Sequence, residues 1–462
     1  MIQWMAKNIL PIFVLSPLFG IVLISLLPKR HRSASPVITV TSAIFTLALA
    51  YIVLSWQVGG VLSSFVLEWL PLIGSNFYLA MDNISLILTC AGAVFVLLAT
   101  IAGWKKRSYF FILLLVLEIG YLGLVASRDV FFIYLFSEMV VISFGFIVMF
   151  ERGEGEGLKY LGVISLSSAI LLVVVAYIAG VTLGTGSSIL EKAALPPKIG
   201  LYLFLLFAAA IFARLPLFPF GGLLNGSQEG QEVSVSAPAG PIGIVYASQV
   251  VLVYKMLPYF SVALNIFHRH ILLVILVCML ASAISAVSVA GMKRALAGVM
   301  AFHIGLALLG ISSFSRNAIT AGVLELFVLI ISTSVLSISL AYSGKKPSFS
   351  APVLLAMSFL PSMGHFPPLL MLCLDLSKEG WYIVGILIAG VLLVASSIFL
   401  CMARGFACMG KAASGKQSSV PYIFLALVYI IFSLGVGLFP DWLTAFIGRQ
   451  TEVLWQTLIQ QL

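Results

Sequence analysis

Charged residues are scarce in this sequence. The 25 basic and 16 acidic side chains make up 9% of its 462 residues, whereas hydrophobic side chains make up 61%. Soluble proteins carry roughly a quarter charged residues. These proportions, with a mean hydropathy of +1.17, exclude a sizeable water-soluble domain and predict an all-α polytopic membrane protein. Each ionisable side chain at bilayer depth costs at least ~2.5 kcal/mol, so it is a candidate for function by default.

The sequence also lacks the ligand patterns of metal and redox centres. Its five cysteines form no CxxC pair, and we interpret them as small hydrophobic residues: Cys90, Cys278, Cys373, Cys401 and Cys408. No haem, iron–sulfur or zinc motif is present, so we expect no cofactor and no catalytic residue, and any linked redox reaction belongs to another chain. The net charge of +9 is dispersed over short loops, which excludes nucleic-acid binding.

Apolar segments of about 20 residues, the length that crosses a bilayer, recur along the chain. They predict fourteen transmembrane helices, numbered 1 to 14, over residues 9–27, 37–55, 81–103, 109–127, 130–150, 158–181, 200–218, 240–257, 271–291, 295–313, 317–343, 350–373, 382–403 and 420–440. The tail 441–462 mixes apolar and polar residues and is expected to form an interfacial amphipathic helix.

The distribution of Lys and Arg supports this count, because basic residues concentrate on the cytoplasmic side of a membrane. With both termini outside, 15 of the 25 basic residues fall in cytoplasmic connections and nine in external ones. The remaining basic residue, Arg214, lies within an apolar segment. We therefore expect a multi-pass protein of the cell membrane.

Glu138 and Arg214 are the most informative deep charges. Glu138 lies in the middle of helix 5, where no neighbouring turn supplies a basic partner. A carboxylate without a partner at that depth takes up a proton, as a relay group does, and the alternative is a structural glutamate satisfied by a hydroxyl or a carbonyl. Arg214 is the natural counter-charge, on a helix that Pro216 and Pro219 break.

Other ionisable residues are weaker candidates. Glu118 lies in the middle of helix 4, where it either faces Glu138 or is a hydrogen-bonded core residue. His303, whose ordinary pKa is near neutrality, is either a relay group or a satisfied core histidine. A functional position and a helix-end position in the interface are both open for Glu325, Asp375, Lys159 and His365.

Five segments, in order along the chain, carry a family resemblance. They are DVFFIYLFSE at 129–138, KYL at 159–161, RLPLFPFGG at 214–222, AP at 237–238 and KRALA with the following HIG at 293–305. They resemble motifs of the antiporter-like subunits of respiratory complex I and of their relatives in cation/proton antiporters and membrane-bound hydrogenases. The resemblance covers about residues 80–375.

The resemblance implies two inverted five-helix repeats, each with a broken helix, at helices 4–8 and 9–13. The chain is accordingly divided into 1–103, 104–257, 258–403 and 404–462. The family also implies transport of protons or sodium ions in a bacterial or archaeal plasma membrane, with lipid and other membrane subunits as partners, of the antiporter-like and the quinone-reductase or hydrogenase type.

Site residues follow from the same resemblance. Glu138 matches the family's glutamate in helix 5, Arg214 the lysine with which it pairs, and His303 the polar residue on the route through the second half. Lys159 matches a lysine of no assigned role. The sequence departs from the family at Arg214, which replaces a lysine, and in helices 8, 11 and 12, where the expected lysines are missing.

Two functions stay open at this point. The chain is either an ion-translocating subunit of a redox-driven or cation/proton antiporter complex, or a structural or coupling subunit that keeps the fold and has lost the lysine relay. Transport of an organic solute by the chain alone is disfavoured, because so few polar groups are available to bind one.

Overall fold

The computed structural model describes residues 2–58, 63–70, 75–183, 197–217, 242–288, 292–343, 351–409 and 420–460. The Ala-Pro pair at 237–238 lies outside the described residues, as does most of the predicted break after Arg214.

The described chain is mostly helical, which confirms the all-α class. Its α-helices are α1 (Ile2–Leu26), α2 (Ser35–Val58), α3 (Asn83–Ala102), α4 (Ser108–Ala126), α5 (Val130–Arg152), α6 (Glu154–Leu183), α7 (Pro197–Arg214), α8 (Ile242–Met256), α9 (Ser261–Ser288), α10 (Met292–Ile311), α11 (Arg316–Ser343), α12 (Ala351–Ala356), α13 (Phe366–Leu376), α14 (Trp381–Met409), α15 (Val420–Leu438) and α16 (Asp441–Gln460). Short 3₁₀ turns cover Lys29–Ala34 and Leu257–Phe260. Predicted helices 1 to 11 correspond to α1 to α11, and helix 12 is broken into α12 and α13.

The count of fourteen spans is not confirmed. Within the described residues, nine helical segments are long and apolar enough to cross a membrane, or ten if α15 and α16 form one bent span. The stretch from α8 through the 3₁₀ turn to α9 counts as one segment, and α10 and α13 are shorter apolar helices. α16 bends away from α15 by 65°, the behaviour expected of a helix that leaves the bilayer for the interface.

A β-hairpin between α2 and α3 was not predicted. β1 (Ser64–Leu70) pairs with β2 (Ser75–Ala80) in antiparallel register. Asp129, the N-cap residue of α5, fixes this hairpin because its carboxylate accepts hydrogen bonds from the Asn76 N–H at 3.0 Å and the Ser75 hydroxyl at 3.1 Å. The same carboxylate caps the first turn of α5, so this residue of the family-like segment has a structural function.

The chain forms two compact units. Unit 1 comprises Met1–Arg214, Ile244–Phe267 and Gln456–Leu462, and unit 2 comprises Leu215–Gly243 and His268–Trp455. The four-part division drawn from the sequence is finer than these two units and stays a prediction.

Glycines bring the site-bearing helices together within each unit. In unit 1, a Cβ atom on Gly123 of α4 would lie 2.3 Å from the Phe136 ring of α5, two residues before Glu138. In unit 2, a Cβ atom on Gly310 of α10 would lie 2.8 Å from Gly322 of α11. Small residues at these crossings let the helix backbones approach closely, as is common in membrane bundles.

Candidate functional site

Glu138 and Arg214 form a buried ion pair in unit 1. The Arg214 Nη2 atom lies 2.5 Å from Glu138 Oε1, and the two residues are 1% and 8% exposed. α5 presents the carboxylate, and Arg214 is the last residue of α7, which ends before Pro216 because a proline disfavours helical backbone at the residue before it. The pairing predicted for these residues is therefore present in the structure.

Hydroxyl groups of α6 complete this first network, defined as Glu138, Arg214, Ser167, Ser168 and Gln249. Arg214 donates from Nε to Ser167 Oγ at 2.7 Å and from Nη2 to Ser168 Oγ at 2.7 Å. The Ser168 hydroxyl lies 2.5 Å from Glu138 Oε2, to which it donates, and Gln249 Oε1 accepts from Arg214 Nη1 at 3.4 Å. All three guanidinium nitrogens therefore have an acceptor, the condition under which a buried arginine is tolerated.

The second network lies in unit 2 and joins two histidines to one glutamate. His303 Nδ1 lies 2.7 Å from Glu325 Oε1, and His365 Nδ1 lies 3.0 Å from the same oxygen. All three side chains have no exposed surface. Glu325 lies inside α11, so the expectation that it is a helix-end residue in the interface is wrong.

Hydrogen-bond geometry fixes where the protons of His303 are. His303 Nε2 lies 3.1 Å from the Met357 carbonyl oxygen, which can only accept, so Nε2 carries a hydrogen. The contact between Nδ1 and Glu325 then also needs a proton, either on the ring nitrogen or on the carboxyl oxygen. The pair therefore holds one proton between its two side chains in both arrangements.

A hydroxyl chain satisfies His365 on its other side. Tyr429 donates to Ser332 Oγ at 2.6 Å, and Ser332 Oγ lies 3.0 Å from His365 Nε2. Ser332 donates its one hydrogen to the Val328 carbonyl at 2.6 Å, so its oxygen accepts from Tyr429 and from the Nε2 hydrogen of His365. The second network is thus a continuous hydrogen-bonded path from Tyr429 to His303.

The ligand-like grouping of His303, Glu325 and His365 fits protons better than a metal ion. The Nδ1–Oε1 separations of 2.7 and 3.0 Å are hydrogen-bond distances. Two ligands bound tetrahedrally to one Zn²⁺ at about 2.0–2.1 Å lie farther apart than this. We therefore assign no metal to the network.

Three other predicted residues lie outside both networks. Glu118 is 1% exposed, and neither of its carboxyl oxygens has a hydrogen-bond partner of normal geometry. The polar group that faces Glu118 is Thr46 of α2, and no contact with Glu138 is found among the described residues. Lys159 is at the surface, paired with Glu156 at 3.0 Å. Asp375 lies at the end of α13 with Lys378 at 2.8 Å, as a helix-end residue.

The structure buries Lys255, which the charge distribution in the sequence assigns to an external connection. The residue is 3% exposed, and within the part of the chain that the structure describes its Nζ atom has no hydrogen-bond partner. Asp82 and Arg128 are near it and hydrogen-bonded to each other. Burial raises the pKa of the Asp82 carboxyl, but the positive charges of Arg128 and Lys255 and the Ser85 N–H outweigh it and lower that pKa to about 2.

Sequence relatives of the chain are subunits of quinone oxidoreductases. No protein-family model matches the chain. It is 23% identical to NADH-quinone oxidoreductase subunit M of Buchnera aphidicola subsp. Baizongia pistaciae, over 71% of this chain and 70% of that protein. It is also 23% identical to NAD(P)H-quinone oxidoreductase chain 4 1 of Picosynechococcus sp., over 83% of this chain and 79% of that protein.

Solved structures show the same fold. A chain of respiratory complex I from Thermus thermophilus superposes with a TM-score of 0.83 at 20% identity, covering 97% of this chain and 99% of that one. A chain of the Mrp complex from Dietzia sp. DQ12-45-1b superposes with a TM-score of 0.79 at 18% identity, covering 99% of both chains.

Proposed function

We propose that the chain is a member of the family of antiporter-like membrane subunits and that it translocates protons as one subunit of a multisubunit membrane complex. Its sequence relatives are named as subunits of quinone oxidoreductases, and its structural neighbours come from respiratory and Mrp complexes. The partners we propose are therefore further antiporter-like subunits and quinone-reductase or hydrogenase-type subunits, which supply the energy.

The observation that carries the proposal is the shared proton of His303 and Glu325. The pair is fully buried and holds a proton in a hydrogen bond of 2.7 Å. A group that keeps a proton at bilayer depth and belongs to a continuous hydrogen-bonded path is suited to proton transfer. Every polar group of the network bonds to another, which favours protons over sodium ions as the transported species.

The first network supplies a different step. Arginine stays protonated, so Arg214 cannot relay a proton itself. Its guanidinium lies 2.5 Å from Glu138 and is the counter-charge of that carboxylate. Glu138 takes up a proton when Arg214 moves away, and the end of α7, next to Pro216, is the place where such a movement needs the fewest broken helical hydrogen bonds.

The two networks occupy equivalent positions in the two predicted repeats. Glu138, the serine pair and Arg214 come from helices 5, 6 and 7, which are the second, third and fourth helices of the first repeat. His303, Glu325 and His365 come from helices 10, 11 and 12, the same places in the second. The lysines missing from the sequence are thus replaced in the second half by a glutamate and two histidines, which disfavours a non-conducting subunit.

The test is ion uptake by vesicles that contain the assembled complex. In Glu138→Gln complexes whose assembly has been verified, proton uptake should fall at least about tenfold, because the amide cannot release a proton. Glu156→Gln is the matched control, since Glu156 pairs with Lys159 at the surface, and should leave uptake unchanged. Normal proton uptake by an assembled Glu138→Gln complex overturns the proposal. Uptake of sodium ions without uptake of protons would show that sodium is the transported ion.

A further inference from the structure

A basic pocket in unit 1 lies where α1, α2 and α4 meet at one end of the bundle. Its volume is about 780 Å³. The pocket is lined by Ile24, Ser25, Arg32, Ser33, Pro36, Trp104, Lys105, Lys106, Arg107, Ser108, Tyr109 and Ile112. None of these residues belongs to the two buried networks.

The lining is strongly positive. Four of its residues are basic and none is acidic. Lys106 is engaged with Glu151 at 2.5 Å, but no ion pair among the described residues involves Arg32, Lys105 or Arg107. Three cations around one cavity without a counter-charge repel each other, and an anion between them relieves that repulsion.

The pocket also has an apolar side that continues onto the membrane-facing surface. Ile24, Pro36 and Ile112 line it, and beside them the exposed side chains Leu23 and Val37 cover the outer faces of α1 and α2. Trp104 and Tyr109 also line the pocket, and such aromatic residues are enriched where the acyl region meets the headgroups. The cationic and apolar sides together match an amphiphile with an anionic head.

We propose that this pocket binds the phosphate headgroup of an anionic phospholipid. Arg32 and Arg107 contact the phosphate oxygens, since a guanidinium forms paired hydrogen bonds with phosphate. Lys105 adds charge, and the hydroxyls of Ser33 and Ser108 are further donors. The acyl chains lie along Ile24 and the outer faces of α1 and α2. A zwitterionic lipid fits less well, because its choline group carries a positive charge into a cationic pocket.

The side of the membrane agrees with this assignment. The pocket residues are in the connections that the charge distribution assigns to the cytoplasmic side. Anionic lipids are concentrated in the cytoplasmic leaflet, and basic pockets between helices on that side bind anionic headgroups. Bound lipid would join α1 and α2 to α4 and so support the unit that contains Glu138.

The test compares two variants of the full chain that lose the same charge on the same side. Arg32→Gln/Arg107→Gln removes two pocket cations, and Lys29→Gln/Arg30→Gln removes two neighbours that do not line the pocket. Binding of phosphatidylglycerol and of phosphatidylcholine to the purified protein is measured by native mass spectrometry. Thermal unfolding of both variants checks that they are folded.

The proposal predicts tighter binding of phosphatidylglycerol than of phosphatidylcholine by the unmodified chain. The pocket variant should lose about tenfold or more in phosphatidylglycerol affinity, and the control variant about twofold or less. Equal losses in both variants, or no loss in the pocket variant, overturn it. Inorganic phosphate is the third arm: if millimolar phosphate displaces the lipid completely, the ligand is the free anion and the lipid assignment is wrong.

If the double pocket variant does not fold, Lys105→Gln gives the same test with one charge. Its expected loss is about threefold to fivefold, because a single cation near an anionic surface contributes about 1 kcal/mol. An unchanged affinity in this folded variant overturns the proposal as well. None of these outcomes depends on proton uptake, so the lipid site and the proposed function fail separately.

Discussion

Arg214 Nη2 lies 2.5 Å from Glu138 Oε1 at the end of α7, and both side chains are almost fully buried. The guanidinium keeps its proton, so Arg214 is a permanent positive charge beside Glu138. In the proposed mechanism, the pair links the position of the α7 end to proton uptake by a carboxylate in α5. Stability measurements can establish how strongly the two groups interact.

The coupling between Glu138 and Arg214 should be large. Glu138→Gln or Arg214→Gln alone leaves one charge buried without its partner, and we expect each to lower the free energy of unfolding by about 3–5 kcal/mol. The double variant should lose much less than the sum of the two. Thermal unfolding in detergent of the unmodified protein, the two single variants and the double variant measures the coupling energy of the pair. The exposed Lys159–Glu156 pair is the control, with an expected coupling of about 0–1 kcal/mol, and equal coupling in the two pairs would contradict the buried arrangement.

Tyr429→Phe tests the hydroxyl chain of the second network. The Tyr429 hydroxyl donates to Ser332 at 2.6 Å, and its removal should cost about 1 kcal/mol in the free energy of unfolding. Tyr202→Phe is the control, because Tyr202 is 67% exposed and should lose nothing measurable. The two unfolding curves should differ, and coincident curves would show that the hydrogen bond to Ser332 does not form.

Lys255→Met should raise stability. Among the described residues the buried Lys255 amine has no hydrogen-bond partner, and a methionine of similar length removes the cost of desolvating it, which is about 2 kcal/mol or more. Thermal unfolding should shift upward for Lys255→Met and stay unchanged for Lys29→Met, since the Lys29 side chain is exposed. A lower stability of Lys255→Met would mean that the amine has a partner which it needs.

Asp82→Asn should change how stability depends on pH. The pKa of Asp82 is about 2 in the folded protein and 3.8 ordinarily, because the nearby positive charges outweigh burial. This difference contributes about 2 kcal/mol above pH ~4, and the contribution is lost as the pH falls from ~4 to ~2. Asparagine still caps α3, so only the charge is removed. The stability difference between the two proteins should be full at pH 6 and vanish near pH 2. A difference that does not depend on pH would contradict this.

The sequence predicts the first network better than the second. Glu138 and Arg214 are recognisable because each is a lone charge in an apolar segment. Ser167 and Ser168 are not, because serine is common in membrane helices and nothing local marks the two that face a guanidinium. Glu325 and His365 are distant in sequence and each resembles a helix-end residue, so only the folded arrangement of α10, α11 and α13 reveals their contact.

The remaining differences have similar causes. Lys255 is at the end of an apolar segment, where a loop position and a buried position have the same local pattern. The hairpin of β1 and β2 is short and lies between two long apolar runs, so its alternation is masked by them. The family resemblance implies one broken helix in the second repeat, without saying which, and the part of the break in helix 12 in bringing His365 to Glu325 depends on tertiary packing.

The number of protons translocated per turnover of the assembled complex tests the central claim most directly. The measurement compares the unmodified complex with one that carries Glu138→Gln and Glu325→Gln, in vesicles, with assembly verified. Removing the titratable carboxyl of each network should lower the ratio while the redox reaction itself continues. An unchanged ratio in a fully assembled double variant would contradict proton translocation through this chain.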